Sequence, residues 1–231
     1  NEIAFEMQRD LVAHGLEALT EVNVVSDLKH GMKQVAASHG VAGIKTNTVV
    51  FGWSSTSKGK IQELEIINDL ATVGKNILVA NIPKPFSKAA KKRIDIWWRG
   101  QDSNGDLMLL LSYLIRLNRK WKKTVFNIFS VTHSEEEKKI MERFIHYSIN
   151  EARIDANIHV QVNKKEDVLN ILIKKSKGAD LVFSGLARGS GNYKKRVETI
   201  DQIVKSLRAV VFVQNNGMKS EIPVIFGNTK K

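Results

Sequence analysis

Residues 93–115 constrain the fold of this chain more than any other stretch. Arg93-Ile94-Asp95-Ile96-Trp97-Trp98 is a β-rich run with two adjacent tryptophans. A polar loop then leads through Asn104-Gly105-Asp106 into residues 107–115, which are apolar almost all round. A strand without polar alternation is buried on both faces, and a helix without a polar face is covered on more than one side. The segment therefore belongs at the centre of something larger than one small α/β layer. Trp97 and Trp98 are neighbours on a strand and point to opposite faces, so each packs under a helix and the pair cannot form one stacking platform for bases.

Hydrophobic periodicity extends this pattern in both directions. Upstream, helices are expected over residues 2–18, 28–39 and 60–73, and strands over 19–25, 48–53 and 77–82. Gly40 and Gly74 stand where helix C-caps belong. Pro83 and Pro85 break the pattern. Downstream, strands over 93–98, 124–131, 157–162, 180–185 and 209–213 alternate with helices over 104–119, 134–152, 165–177 and 193–207. Ser134 followed by Glu135, Glu136 and Glu137 opens one of these helices with a capping box. Strands alternating with helices imply right-handed βαβ crossovers and parallel pairing. The expected fold class is α/β, with two tandem Rossmann-like halves and mainly parallel sheets. The first half spans residues 1–83, a short basic linker 84–92, and the second half 93–231.

At 231 residues the chain can bury a core without staples, and with no cysteine it has neither disulfides nor thiolate metal sites. No apolar run approaches the ~18 residues of a membrane span. Beginning at Asn1, the chain reads as a fragment or a processed product, with any membrane part outside it. Charge divides unevenly: residues 1–83 hold 7 Lys/Arg against 9 Asp/Glu, and residues 84–231 hold 29 against 15. A field of that sign attracts anions, whether lipid, nucleic acid or acidic protein, although solvated helix ends account for many such lysines. Without a stacking platform, nucleic-acid binding would rest on charge alone, and none is expected.

Two loops sit where phosphates bind in α/β folds. The stretch from Gly52 to Lys60 places six residues between its glycines and Ile61 after Lys60, whereas a P-loop needs four and a Ser or Thr, so it reads as an ordinary βα loop. The loop with Gly185, Arg188, Gly189, Ser190 and Gly191 follows the fourth strand of the second half, and the loop from Arg99 to Gly105 follows its first. In the usual strand order these two flank the switch-point crevice, where backbone N–H groups near a helix N-terminus can hold an anion. A purely structural turn is the competing reading. The six histidines form no metal-binding pattern and no nucleophile elbow is present. Glu166 and Asp167 fall in a first helical turn, where the dipole explains them. Neither catalysis nor a metal site is expected.

The residues quoted so far resemble a family. Residues 94–98, 104–107, 111–114 and 119–122 with the strand that follows, residues 24–31 and 40–48 upstream, and residues 179–189 downstream are similar, in order, to the C-terminal cytosolic domain of cation–chloride cotransporters, of the amino acid–polyamine–organocation transporter superfamily. The resemblance implies two universal-stress-protein-like halves and a non-enzymatic regulatory and dimerisation role. It also implies a transmembrane transporter domain in the same chain as partner, homodimerisation, and a place on the cytoplasmic face of the cell membrane. The apolar residues Leu107, Leu110, Leu111 and Leu114 are the candidate interface, and anionic lipid a candidate contact of the basic half. The rival reading is a soluble universal-stress-protein-like protein that binds ATP or ADP. Its usual Gly-x2-Gly-x9-Gly-Ser/Thr pattern is incomplete here: Gly189 and Gly191 are present, but Glu198-Thr199-Ile200 stand where the last pair belongs. The linker is also shorter than in animal members of the family.

Overall fold

The computed structural model describes residues 2–38, 40–41, 44–83, 85–86, 89, 91–100, 103–163, 167–187, 189 and 191–216. Helices α1 (Glu2–Ala13) and α2 (Leu28–Ser38) come first, followed by a two-stranded antiparallel hairpin, β1 (Gly40–Val41) with β2 (Ile44–Lys45). Then come β3 (Thr48–Gly52), α3 (Ser57–Thr72) and β4 (Asn76–Asn81). The second half runs β5 (Arg93–Trp97), α4 (Asn104–Leu117), β6 (Val125–Thr132), α5 (Glu135–Glu151) and β7 (Asn157–Val162). It ends with α6 (Val168–Ser176), β8 (Leu181–Gly185), α7 (Tyr193–Ser206) and β9 (Val210–Gln214).

Strands β3 to β9 form one sheet in the order β3-β4-β9-β8-β5-β6-β7. Within the second half the order is the doubly wound 3-2-1-4-5, all parallel. The first half joins that sheet edge-on: β3 and β4 are parallel to each other, but β4 pairs antiparallel with β9, Val79 opposite Phe212. The strands on either side of residues 84–92 are thus continuous in one sheet. Periodicity could not show this, because pairing direction across a long connection leaves no mark on either strand's pattern.

Local chemistry explains the boundaries. Thr56 caps α3 by accepting from the Gly59 N–H, Ser134 caps α5 by accepting from the Glu137 N–H, and Asp167 caps α6 by accepting from the Leu169 N–H. Gly74, at φ +74°, takes the left-handed turn that ends α3. Gly40 is no cap; it begins β1. Two apolar layers flank the sheet. Trp98, Ile94 and Ile96 pack with α4 and α5 on one face, whereas Trp97, Phe129 and Phe212 pack with α3, α6 and α7 on the other. The two tryptophans do part to opposite faces. Trp97 stacks on Phe129 with ring centroids 4.9 Å apart, and Trp98 meets Phe144 edge-on at 5.5 Å.

One expected strand does not form. Residues 19–25 are β-branched in part but join no strand ladder among the described residues, and Leu19 and Val24 are exposed. β-propensity reflects fit to a half-buried pleated surface, so without a ladder partner the run stays irregular. Its last residue, Val25, is held against α2, where a Cβ built on Gly31 would meet Val25 Cγ1 at 2.5 Å. Helix α1 also stops at Ala13, short of the expected residue 18, after which Gly15 turns the chain at φ +65°.

Candidate functional site

The crevice expected at the switch point is present. Strands β5 and β8 are adjacent while their crossovers leave in opposite directions, opening a cavity of about 1330 Å³ beyond their C-terminal ends. Its lining includes Arg99, Gly185, Gly189 and Gly191, so the structure brings these sequence-chosen residues together. Arg188 and Ser190 lie outside the described residues. The described lining is cationic, with Arg99, Lys195 and Arg196 and no acidic side chain.

Hydrogen bonds between residues far apart in sequence fix the elements around the crevice. Asn104, at the start of α4, accepts the Asn215 N–H at 2.7 Å, and the Asn215 side chain donates to the Ser103 carbonyl at 2.8 Å. Gly185 lies close to Asn104: a Cβ there would come 3.3 Å from the Asn104 amide nitrogen, a tight contact that the side chain would have to ease. Trp97 donates its indole N–H to Ser176 Oγ at 2.9 Å, fixing α6 to the sheet.

Arg196 lines the crevice, and sequence reasoning did not single it out. Its guanidinium donates to the carbonyls of Gly189 and Ala187 and lies over the Tyr193 ring. Burial pulls the guanidinium below its ordinary value, and Tyr193 opposes the shift. The signal available in sequence was position alone: Arg196 falls in the first turn of α7, on the side of the loop glycines. On the far side of the loop, Asn68 of α3 donates to the Gly189 carbonyl at 3.1 Å and to the Tyr193 hydroxyl at 2.9 Å. The first half therefore buttresses the crevice loop directly.

The α3–α7 seam carries the other polar network. Trp53 Nε1 and Lys60 Nζ both donate to Asp201, at 2.9 and 2.8 Å. Burial opposes ionisation of Asp201, but the bonds from Lys60 and Trp53 outweigh it and hold the carboxyl below its usual value. Nearby, Glu63 accepts the Ser54 N–H at 3.0 Å, and its other oxygen is buried without a partner. Burial pushes the Glu63 carboxyl up against the smaller effect of that bond. A raised carboxyl favours the folded state at low pH and loses that advantage as pH rises through its folded value. A depressed one, Asp201, contributes above its unfolded value and fails as pH falls through its folded value. Glu63→Gln should therefore raise stability at pH 7 by about 1 kcal/mol, roughly 2–4 °C in Tm. The gain should shrink toward pH 4; thermal melts across that range check it.

Among the candidate interface residues, Leu107 is buried in the chain's own core, while Leu110 and Leu111 are half-buried against it. Burying Gly105, Met108 and Leu109 against the sheet turns that side of α4 inward and leaves Leu114 as the exposed member of the set. Among the described residues no group of three or more His, Cys, Asp or Glu could hold a metal ion, and no helix is long and apolar enough to cross a membrane.

Comparison with known proteins places this geometry. The model of solute carrier family 12 matches residues 54–168, from the β3–α3 loop across the linker to the start of α6. In fold, the chain is similar to the cytoplasmic domain of a prokaryotic cation chloride cotransporter, with a TM-score of 0.67 at 16% identity over 96% of this chain and 81% of that one. It is also similar to a universal stress protein from Archaeoglobus fulgidus, with a TM-score of 0.63 at 14% identity over 93% and 76% of the two chains. At such identities the structural likenesses speak for the fold, and the sequence match speaks for the family. The chain carries a solute carrier family 12 segment on a universal-stress-protein-like α/β fold, as its resemblance to the cytosolic domain of cation–chloride cotransporters implied.

Proposed function

We propose that the chain is a non-enzymatic regulatory and dimerisation domain on the cytoplasmic face of a membrane cation–chloride cotransporter. The observation that carries this reading is the family match, which covers residues 54–168 in parts of both halves, on a fold shared with a cotransporter's cytoplasmic domain. The crevice supports a binding role over a catalytic one, because its described lining offers cations and no carboxylate to act as a base or hold magnesium. The transporter domain of the same polypeptide would be its principal partner. At tens of micromolar, sedimentation equilibrium should give twice the 26.0 kDa monomer mass. A strict monomer would remove self-association of this chain from the proposal.

A second reading, nucleotide binding, is favoured by the cationic crevice and its glycine loop. Calorimetry with ATP and ADP at millimolar concentration discriminates. Heat that saturates, and that is lost in Arg196→Ala, supports a nucleotide in the crevice; no heat leaves the structural role alone.

A further inference from the structure

The excess positive charge of the second half is concentrated by topology. Strands β5 to β9 are parallel, so their N-terminal ends share one edge of the sheet, and the helix-to-strand connections gather there. Each of those strands is preceded within four residues by an exposed base, namely Lys91, Lys122, Arg153, Lys177 and Arg208, with the exposed acid Asp155 beside Arg153 before β7. Helix dipoles alone do not explain this. The C-termini of α4, α5, α6 and α7 together present roughly two negative charges. The single connection from α4 to β6, with Arg119, Lys120, Lys122 and Lys123 all exposed, already exceeds that. The opposite end of the sheet is mixed, with Glu135, Glu136 and Glu137 in the first turn of α5.

This basic edge also carries apolar side chains in the open. Leu114 and Leu117, one turn apart in the last turns of α4, are 51% and 65% exposed, and Leu117 is the last residue of α4 before the basic α4–β6 connection. Exposed leucines next in the chain to a run of exposed cations match an anionic bilayer, whose headgroups take the charge while its acyl boundary takes the apolar tips. A nucleic acid would use the charge and leave the leucines without a role.

We propose that this edge, centred on the end of α4 and the α4–β6 connection, docks onto an anionic membrane surface with the switch-point crevice facing away from it. The proposal deepens the membrane-facing part of the function proposed above, and its test does not depend on dimerisation or on a transporter domain.

The full 231-residue chain would be floated with phosphatidylcholine vesicles that do or do not contain phosphatidylserine, at about 0.15 M salt. Binding should require the anionic lipid. Lys120→Glu with Lys122→Glu should lower the partition coefficient roughly thirty-fold, at about 1 kcal/mol per base lost. Leu117→Ser, which leaves the charge unchanged, should lower it roughly fivefold. The matched variant at the other end, Lys139→Glu with Lys194→Glu, alters net charge equally and should stay within about threefold of the parent. Thermal melts verify that each variant is folded, which their exposed positions favour. Equal binding to neutral vesicles, equal loss in both charge variants, or an unaltered partition for Leu117→Ser would each overturn the proposal. So would retention on duplex DNA without vesicle binding, which would assign the edge to nucleic acid.

Discussion

Gly105→Ala is expected to destabilise the chain by at least ~3 kcal/mol, despite alanine's advantage of about 1 kcal/mol over glycine in a helix. A Cβ at residue 105 would fall 1.6 Å from Trp98 Cε2 and 2.0 Å from its indole nitrogen. Trp98 cannot retreat: it is 1% exposed and meets Phe144 edge-on. Either the tryptophan leaves its rotamer or α4 lifts off the sheet, and both disturb the first core layer. Urea unfolding measures the loss, which amounts to about 6–12 °C in Tm for a domain of this size. Gly52→Ala, where an added Cβ meets nothing within 4 Å, is the contrast and should shift stability by about 0.5 kcal/mol or less. Combining Gly105→Ala with Trp98→Leu should cost less than the two single losses added, because the smaller side chain vacates the space that the new methyl needs. Additivity would mean that the two residues do not share one packing constraint.

That contact also shows what the sequence could and could not reveal. The doubling of tryptophan in a strand and the apolar helix after it implied a segment covered on both sides, and Trp97 and Trp98 do enter separate cores. Repeated strand and helix periods located the seven strands of the main sheet to within two residues, and the 3-2-1-4-5 order then followed from general topology. The crevice position came with that order, which is why Arg99, Gly185, Gly189 and Gly191 could be chosen in advance. Interactions that depend on one element meeting another at long range stayed hidden. The antiparallel β4–β9 pair, the hold of Asn68 on Gly189 and the grip of Arg196 on the loop carbonyls have no periodic signature. Residues 19–25 err in the other direction: their strand propensity was legible, but the partner that would realise it is absent from the described fold.

Arg93→Ala should be about as damaging as the glycine substitution, costing about 3–5 kcal/mol, while Asp95→Asn should cost roughly 1–2 kcal/mol. The asymmetry follows from where the two charges sit. Asp95 is wholly buried in β5 and accepts from Arg93 Nε at 2.8 Å, Arg93 Nη2 at 2.7 Å and the Asn127 amide at 2.9 Å. Removing the arginine strands the carboxylate with one neutral donor in the sheet interior, where solvent cannot replace what was lost. Removing the aspartate's charge is milder, because the Arg93 side chain is 35% exposed and keeps its bond to the Lys175 carbonyl. Asparagine also retains one oxygen, which in the Oδ1 position still accepts from Arg93 Nε and Asn127, although its amide group then faces the Arg93 Nη2 donor. Asn127 in turn accepts from Asn157 at 3.0 Å, so the pair anchors a polar file across β5, β6 and β7. The double variant discriminates between a stranded charge and simple loss of packing. If the cost of Arg93→Ala is the uncompensated carboxylate, then adding Asp95→Asn should recover about 1–3 kcal/mol of it in urea unfolding at pH 7. If packing of the arginine stem is what matters, the double variant will be less stable than Arg93→Ala alone.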